Sequence, residues 1–423
     1  MLPLTRQTSE RVTASLPDWA RDRAAAGLEL FAAMPMPDPK EEDWRYVEIP
    51  VDLDDLHLAE EPGSPLPPDG HFTPVFGEAA GRALNVDGST VAIDSPDGTL
   101  TSLAGTVPDG GEADLLVGVP ADLDRFAAAH RAFLSDGVVL RIPAGRAVER
   151  PYVVEFQATA AGTVAFPHLS VVSGDGSDAS LVVLFRSADG TRVTVVPQLE
   201  MRMGDNARLA VTMVQAWGDA TYAVAQQRIG VGRDSSVTLA EAGIGGSNAR
   251  LHLTVDLEGR GADARILGVY FGDHDQTLDY RYFMNHRAPN TTSEMFLKGA
   301  VGDTAAGVFT GLIRIEPAGQ KTNAHQTNRN LVLSEGAEAH SVPNLEILAN
   351  DVRCGHGSAV GPLDEEQRYY LMSRGLDRIR ADRLQVLGFF EDVLGRFPAA
   401  ALERPLADSM LAKYEGIVER ETS

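Results

Sequence analysis

The sequence predicts a mainly β protein: a β-solenoid core between an N-terminal mixed, partly helical part and a C-terminal helical part. Three observations carry this. From about Val138 to Gly361, short β-rich runs alternate with glycine turns and almost no helical periodicity. Within that stretch one phrase recurs, a glycine followed by Asp or Asn, a small residue and a β run. It reads "GSDASL" at Gly176, "GDNARL" at Gly204, "GRDSSV" at Gly232, "GSNARL" at Gly246 and "GADARI" at Gly261, with weaker echoes at Gly302 and Gly336. After Gly361 the apolar residues take up helical spacing and keep it. Stacked coils account for a repeated turn phrase, because one coil cannot bury its apolar face without the next. A β-sandwich gives similar strand lengths but has less reason to repeat one phrase. The expected divisions are 1–135, 136–361 and 362–423.

Within the first division, "LPDWARDRAAAGLELFAAM" carries a stripe of Trp19, Ala20, Arg23, Ala24, Leu28, Phe31 and Ala32, and prolines at 35, 37 and 39 end it. "KEEDWRYVEIP" and a proline- and glycine-rich connector, "EPGSPLPPDG", follow. The short alternating runs "ALNVDGSTVAID" and "DLLVGV" come next. A helix is predicted in "DLDRFAAAHRAFLSDG", with Asp122 as N-cap and Gly137 as stop. In the last division Asp364 and Gln367 have capping-box spacing and Gly375 suits a helix stop. Val386, Phe390, Val393 and Phe397 fall on one helical face, and Pro405 interrupts a third amphipathic stretch. Three helices of this size make no large core alone, so they are expected to lie against the solenoid or a partner.

Composition narrows the function. The formal net charge of −23 repels phosphate backbones and anionic bilayers, so neither nucleic acid nor a membrane is expected as the main partner. No apolar run reads as a signal peptide or a bilayer span. One cysteine permits no internal disulfide, which suits a reducing cytoplasm, and leaves no CxxC motif and no self-contained thiolate cluster site. No GxxxxGK[ST] occurs, so nucleotide hydrolysis would have to come from a partner.

The residues that draw chemical attention are Cys354 and His356, in "LEILANDVRCGHGSAVGPLD". Two apart in an extended run, they share one face. As a nucleophile Cys354 would need a base, since an ordinary thiol with pKa of about 8.5 is mostly protonated at neutral pH. No protease or transferase signature surrounds it. As ligands, thiolate and imidazole suit iron or zinc, but two leave a four-coordinate metal unsatisfied. His340, Glu346 and Asp351 are the nearest candidates to complete a site; a buried structural thiol is the plainest alternative. Asp273, His274, Asp275, Asp279 and His286 superficially resemble a metal cluster, yet Gly272–Asp273 also reads as a coil turn. Gln326, Asn328 and Asn330, at period two, suit hydrogen-bonded stacking between coils. "GHGS" lacks the GxSxG elbow of a serine hydrolase.

The stretch "LEILANDVRCGHGSAVGPLDEEQRYYLMSRGL" resembles the C-terminal signature of the SufB/SufD family of iron–sulfur cluster assembly scaffolds, with Cys-x-His-Gly followed by a G-x-LD turn and a tyrosine-bearing helix ending in SRG. "KTNAHQTNRNLVLSEGAEAHSVP", "HRAPNTTSEMFLKGAVGDTAAGVFTGLIRI" and "EEDWRY" are similar to the family as well. A single cysteine and a short chain resemble the SufD branch. The resemblance implies a right-handed parallel β-helix flanked by helical regions, and a non-catalytic scaffold. It also implies a SufB-like partner bound through the β-helices and SufC, an ABC-type ATPase, bound on the C-terminal helices. On that footing His356, with Cys354 beside it, is half of a site where a transient iron–sulfur cluster forms against the partner's cysteine. A homodimer in the partner's absence is a further expectation. The family complex has been linked to reduced flavin; no dinucleotide fingerprint occurs here, and no tightly bound cofactor is expected on this chain alone. Two other readings are a carbohydrate-active β-helix enzyme, for which 6% aromatic residues is thin, and a purely structural partner in which both residues are idle.

Overall fold

Every one of the recurring phrases opens a strand. The computed structural model describes all residues except 71, 73–76, 78, 106–114, 117 and 423, so Asp114 and Val117 of "DLLVGV" lie outside the described residues. Gly176, Gly204, Gly232 and Gly261 stand just before strands Asp178–Ser187, Arg208–Ala216, Ser236–Gly243 and Asp263–Gly272 of one sheet. Gly246, Gly302 and Gly336 precede Asn248–Leu257, Ala306–Ile315 and Glu338–Ile347 of a second. The chain alternates between the two sheets, one strand of each making a coil. In the first sheet Asp178, Arg208, Ser236, Asp263, Thr292, Asn323 and Arg353 pair in one column, at steps of 30, 28, 27, 29, 31 and 30 residues. The architecture is therefore mainly β, a parallel β-solenoid.

The Asp and Asn of the phrase have a backbone reason. One corner of each coil needs a left-handed residue, filled in turn by Gly176, Asn206, Asp234, Gly261 and Asn290, all with φ between 53° and 75°. The amide of each bonds a carbonyl of the next coil, as Gly176 N–H does to Asp205 (2.8 Å) and Asp234 N–H to Arg260 (2.9 Å), so the ladder continues around the corner.

Inward residues alternate with outward ones along each strand and fill the interior with aliphatic side chains and stacked rings, such as Phe156 on Phe185 at 5.4 Å. At the N-terminal end the first sheet starts earlier than Val138. Strands Gly81–Val86 and Ser89–Asp94 form an antiparallel hairpin, and the former pairs in parallel with Tyr152–Ala158. Its turn is Asp87-Gly88, both at positive φ, the geometry that matches strand twist. In the second sheet Leu100–Ser102 lies antiparallel to Val138–Ile142.

Helices α1 (Arg6–Val12), α2 (Asp18–Ala33) and α3 (Arg125–Phe133) belong to the N-terminal part. α2 buries Ala20, Ala24, Leu28 and Phe31 of the predicted stripe, while Trp19 is half-buried and Ala32 exposed. α3 is capped by Asp124, not Asp122: its carboxylate accepts from Ala127 N–H and from Gln226 of the solenoid, so it serves two elements. The helix ends at Phe133, before Gly137. "EEDWRY" lies over the outer face of the second sheet, with Trp44 stacked on the Arg250 guanidinium at 4.0 Å and the carbonyls of Glu42 and Arg45 accepting from Arg281.

The C-terminal helices are α4 (Glu365–Ser373), α5 (Arg378–Leu394) and α6 (Glu403–Thr422). Asp364 caps α4 by accepting from the Glu366 and Gln367 amides, and Gly375, at φ 96°, follows its end. Val386, Phe390, Val393 and Phe397 pack with Leu267, Val269 and Phe271 on the outer face of the first sheet, each burial contributing about 2 kcal/mol. Pro405 lies in the first turn of α6 rather than breaking it, because a first-turn N–H has no intrahelical partner to lose. α4 buries no residue. Among the described residues no helix is long and apolar enough to cross a membrane.

Candidate functional site

Cys354 and His356 lie on Arg353–Gly361, the last strand of the first sheet. Among the described residues its only neighbour in that sheet is Asn323–Val332, and the register sets Cys354 beside Ala324, His356 beside Gln326 and Ser358 beside Asn328. Cys354 is half-buried and, like Val352 and Leu345, packs against the interior cluster. His356 and Ser358, further along the same face, are exposed, since no later coil covers them. Burial pushes the Cys354 thiol up from its ordinary value, against a smaller opposing pull from the Gly355 N–H. An up-shifted thiol is the opposite of what a nucleophile needs. The face can offer a thiol and an imidazole to a metal, with the thiol losing its proton as it binds.

Two of the other candidate ligands, His340 and Glu346, are engaged elsewhere. His340 stacks on Tyr46 at 4.5 Å and bonds Glu338 at 3.1 Å. Glu346 faces Arg314 at 3.6 Å, whereas Asp351 bonds Gln320 and Lys321 through its backbone only, which leaves its carboxylate out of those contacts. Among the described residues the one group of metal-ligating side chains close enough to share an ion is Asp273, His274 and Asp303. Cations of the protein already fill it: Lys413 and Arg420 reach Asp273, and Arg420 reaches Asp303 at 2.7 Å. Of the remaining members of that sequence cluster, Asp275 is exposed, and Asp279 and His286 are structural. Asp279 is buried between Arg250 and Arg281, and His286 bonds Thr291 (2.7 Å) and Ser293 (2.9 Å) while burial pushes it down to about 4.

Beneath the last strand the interior changes from aliphatic to polar. Asn330 donates to Asn328 (2.7 Å) and accepts from Tyr270, Ser341 donates to Asn328 (2.7 Å), and Ser358 donates to Ser341 (2.7 Å). Gln326 donates to the Asn344 carbonyl across the coil at 3.2 Å. The period-two amides thus tie the last coils together. Ser341, Ser358 and Tyr270 escape a sequence reading, because serine and tyrosine in a strand carry no positional signal. Deeper inside, Glu241 is buried with Tyr282 donating to it at 3.3 Å, and burial pushes its carboxyl up to about 8. Its inward place was readable from the alternation of "SVTLAEAG", though not its state of protonation.

Comparison with known proteins agrees with this architecture. The family model described as SUF system FeS cluster assembly, SufBD core domain, matches residues 156–389, from within strand Tyr152–Ala158 into α5. An iron–sulfur cluster assembly SufBD family protein of Mycobacterium bovis is 32% identical over 306 residues, covering 70% of this chain and 76% of the relative. The iron–sulfur cluster assembly protein SufD of Bacillus subtilis is 30% identical over 301 residues, 70% of this chain and 69% of its own. SufD of Escherichia coli K12 is 27% identical over 215 residues, about half of each chain (51%). With a family match over more than half its length and relatives of this similarity, the chain belongs to the SufBD family of iron–sulfur cluster assembly proteins.

Proposed function

We propose that this chain is a SufD-like, non-catalytic scaffold subunit that pairs with a SufB-like chain and with the ABC-type ATPase SufC. The observation that carries this is the uncapped end of the solenoid. Glu338–Ile347 and Arg353–Gly361 are the terminal strands of their sheets, and Ile347, Leu348 and Val360 are exposed there. Unpaired strand edges beside exposed apolar residues are a template for another chain. Cys354 and His356 lie on that edge, where a second chain can supply the ligands this one lacks. The iron and sulfide are cargo at this half-site, held by His356, with Cys354 beside it, and by the partner's groups. A second exposed apolar surface, Tyr369, Tyr370, Met372, Ile379 and Leu384 on and around α4 and α5, supports docking of the ATPase.

The mechanism follows in three steps. ATP binding draws two ATPase subunits together. The motion passes through the C-terminal helices of both scaffold chains. The interface between solenoids is strained and opens His356 and the partner's cysteine to iron and sulfide. A reducing, cytoplasmic setting suits this chemistry.

Native mass measurement of the chain co-expressed with a SufB-like chain and SufC tests the reading. One copy of each scaffold with two ATPase copies is expected; a chain that stays alone or binds only itself sinks it. His356→Ala is then expected to abolish cluster assembly with the complex intact, and surviving assembly would remove His356 from the site.

A further inference from the structure

We infer that α6 is an axial splint that ties together the turns of the last three coils and passes load on the C-terminal helices to the coil bearing Cys354 and His356. Along α6, successive polar side chains reach successive coils. Lys413 donates to Asp273 and to Gln276 (2.8 Å), in the turn before strand Thr277–His286. Arg420 donates to Asp303 at 2.7 and 3.0 Å, in the turn before Ala306–Ile315, while still touching Asp273 at 3.1 Å. Glu421 accepts from Ser334 at 2.7 Å, in the turn before Glu338–Ile347. Between Lys413 and Arg420, Ile417 packs over Gly302, where no side chain obstructs it.

The spacing suits the task. From Lys413 to Glu421 an α-helix advances about 12 Å, and two coil steps of stacked strands are about 10 Å. The helix therefore runs along the solenoid axis and samples one turn after another. The three turns are bonded to each other as well: His274 N–H donates to Asp303 (2.8 Å) and Asp303 N–H to Ser334 (2.9 Å). The Asp273, His274 and Asp303 group is the anchor of this splint, with Lys413 and Arg420 as its counter-ions.

Polar pairs also continue outward from α6. Arg383 of α5 bonds Glu415 of α6 at 2.8 Å, and Arg368 of α4 pairs with Asp382 of α5. A contiguous series of charge-assisted contacts thus runs from the exposed helix α4 through α5 and α6 to the turn of the last coil. Splinting follows from these contacts alone; the passage of load rests on the proposed docking of an ATPase at α4 and α5.

Hydrogen exchange read by mass spectrometry on the full chain tests the splint. In a Lys413→Met/Arg420→Met protein, amides of 338–347 and 353–361 are expected to exchange about tenfold faster or more, with 152–158 and 178–187 unchanged. Unchanged exchange in the last coil overturns the inference. Arg420→Lys, which keeps a cation between Asp273 and Asp303, should retain part of the protection that Arg420→Met loses; retention shows that the pairing and not the helix surface is responsible, and its absence overturns the ionic assignment. Should the double methionine protein fail to fold, Glu421→Ala removes the last link from the α6 side, leaves the Asp303 to Ser334 bond in place, and is held to the same expectation in 338–361. For the load, the complex with a SufB-like chain and SufC is compared with and without a non-hydrolysable ATP analogue. A nucleotide-dependent change in exchange at 353–361 is expected in the wild type and lost in the double variant, with SufC still bound. If the change persists in the variant, the load path is wrong. If the wild type shows none, the ATPase reading fails while the splint stands on the first measurement.

Discussion

Replacing Glu241 by glutamine should make the protein more stable at neutral pH, by an amount that depends on pH in a defined way. The carboxyl faces the solenoid interior, its Oε2 accepts from Tyr282 at 3.3 Å, and its Oε1 has no hydrogen-bond partner. Burial raises its pKa from the ordinary 4.5 to about 8. In the unfolded chain the group ionises near 4.5, so folding takes up a proton between these values, and stability is lost as pH rises through that window. At pH 7 the gap to 4.5 is about 2.5 units, or about 3 kcal/mol at 1.36 kcal/mol per unit. Glutamine keeps an oxygen for Tyr282 and never ionises. The variant is expected to exceed the wild type by about 3 kcal/mol at pH 7 and to approach it near pH 4.5. Urea unfolding of both proteins from pH 4.5 to 8 measures the difference, in which every other titrating group cancels. A difference that stays constant across the range would refute the argument, because it would place Glu241 in its charged form inside the fold.

Four further outcomes are expected. Burial pushes His130 and His252 down to about 3 and His286 to about 4, and lowers His168 as well, so their stabilising contribution is present above pH 6.5 and lost on acidification. Each should cost about 1.4 kcal/mol by pH 5.5, and the Glu241→Gln protein, free of the opposing trend, should melt lower at pH 5.5 than at 7. A methyl at Gly259 would run into the backbone nitrogen of Arg233 in the adjoining turn, so Gly259→Ala should cost about 3 kcal/mol in chemical unfolding. Gly388, inside α5, has nothing within 4 Å of the added methyl, and Gly388→Ala should raise stability by about 0.5–1 kcal/mol, visible as a higher melting temperature. Cys354→Ser removes a half-buried thiol at the coil end and should leave the far-ultraviolet circular dichroism unchanged, since no hydrogen bond of its side chain holds the last strand in register with 323–332.

The solenoid was legible because its corners impose a rule on the backbone. At the corners residues must take positive φ, and only Gly, Asn and Asp do so cheaply, so the corner leaves a phrase in the sequence. The phrase fails where another residue is forced there, as with His274 (φ 54°) and Lys321 (φ 62°), and those corners went unmarked. α2, α4 and α5 were legible from spacing alone. The cap of α3 was not: Asp122 and Asp124 look alike in sequence, and the choice is made by Gln226, 102 residues away. The hairpin at Asp87-Gly88 reads as alternation, but nothing local says that it extends the first sheet. For the candidate site, the shared face of Cys354 and His356 follows from strand period, whereas their place at an uncovered edge depends on which coil comes last. The ion pairs of Lys413 and Arg420 with the Asp273 turn join residues 140 and 147 apart, beyond the reach of any spacing rule.

The uneven coil steps have an evolutionary meaning. Between successive first-sheet columns the chain advances by as few as 27 residues and as many as 31, yet the paired strands keep unbroken register. All of that variation is absorbed at the corners, where an added residue bulges outward and no inward side chain changes face. Insertions at the exposed tip Pro317–Ala318 should therefore be tolerated far better than insertions at Gln320, whose carbonyl accepts from Asn290 N–H, and such tips are where the chain can change length or where a reporter can be grafted. A single residue inserted within Asn323–Val332 has the opposite effect: it turns the side chains beyond it to the opposite face, exchanging the amide floor for its charged exterior and misaligning the edge that carries His356.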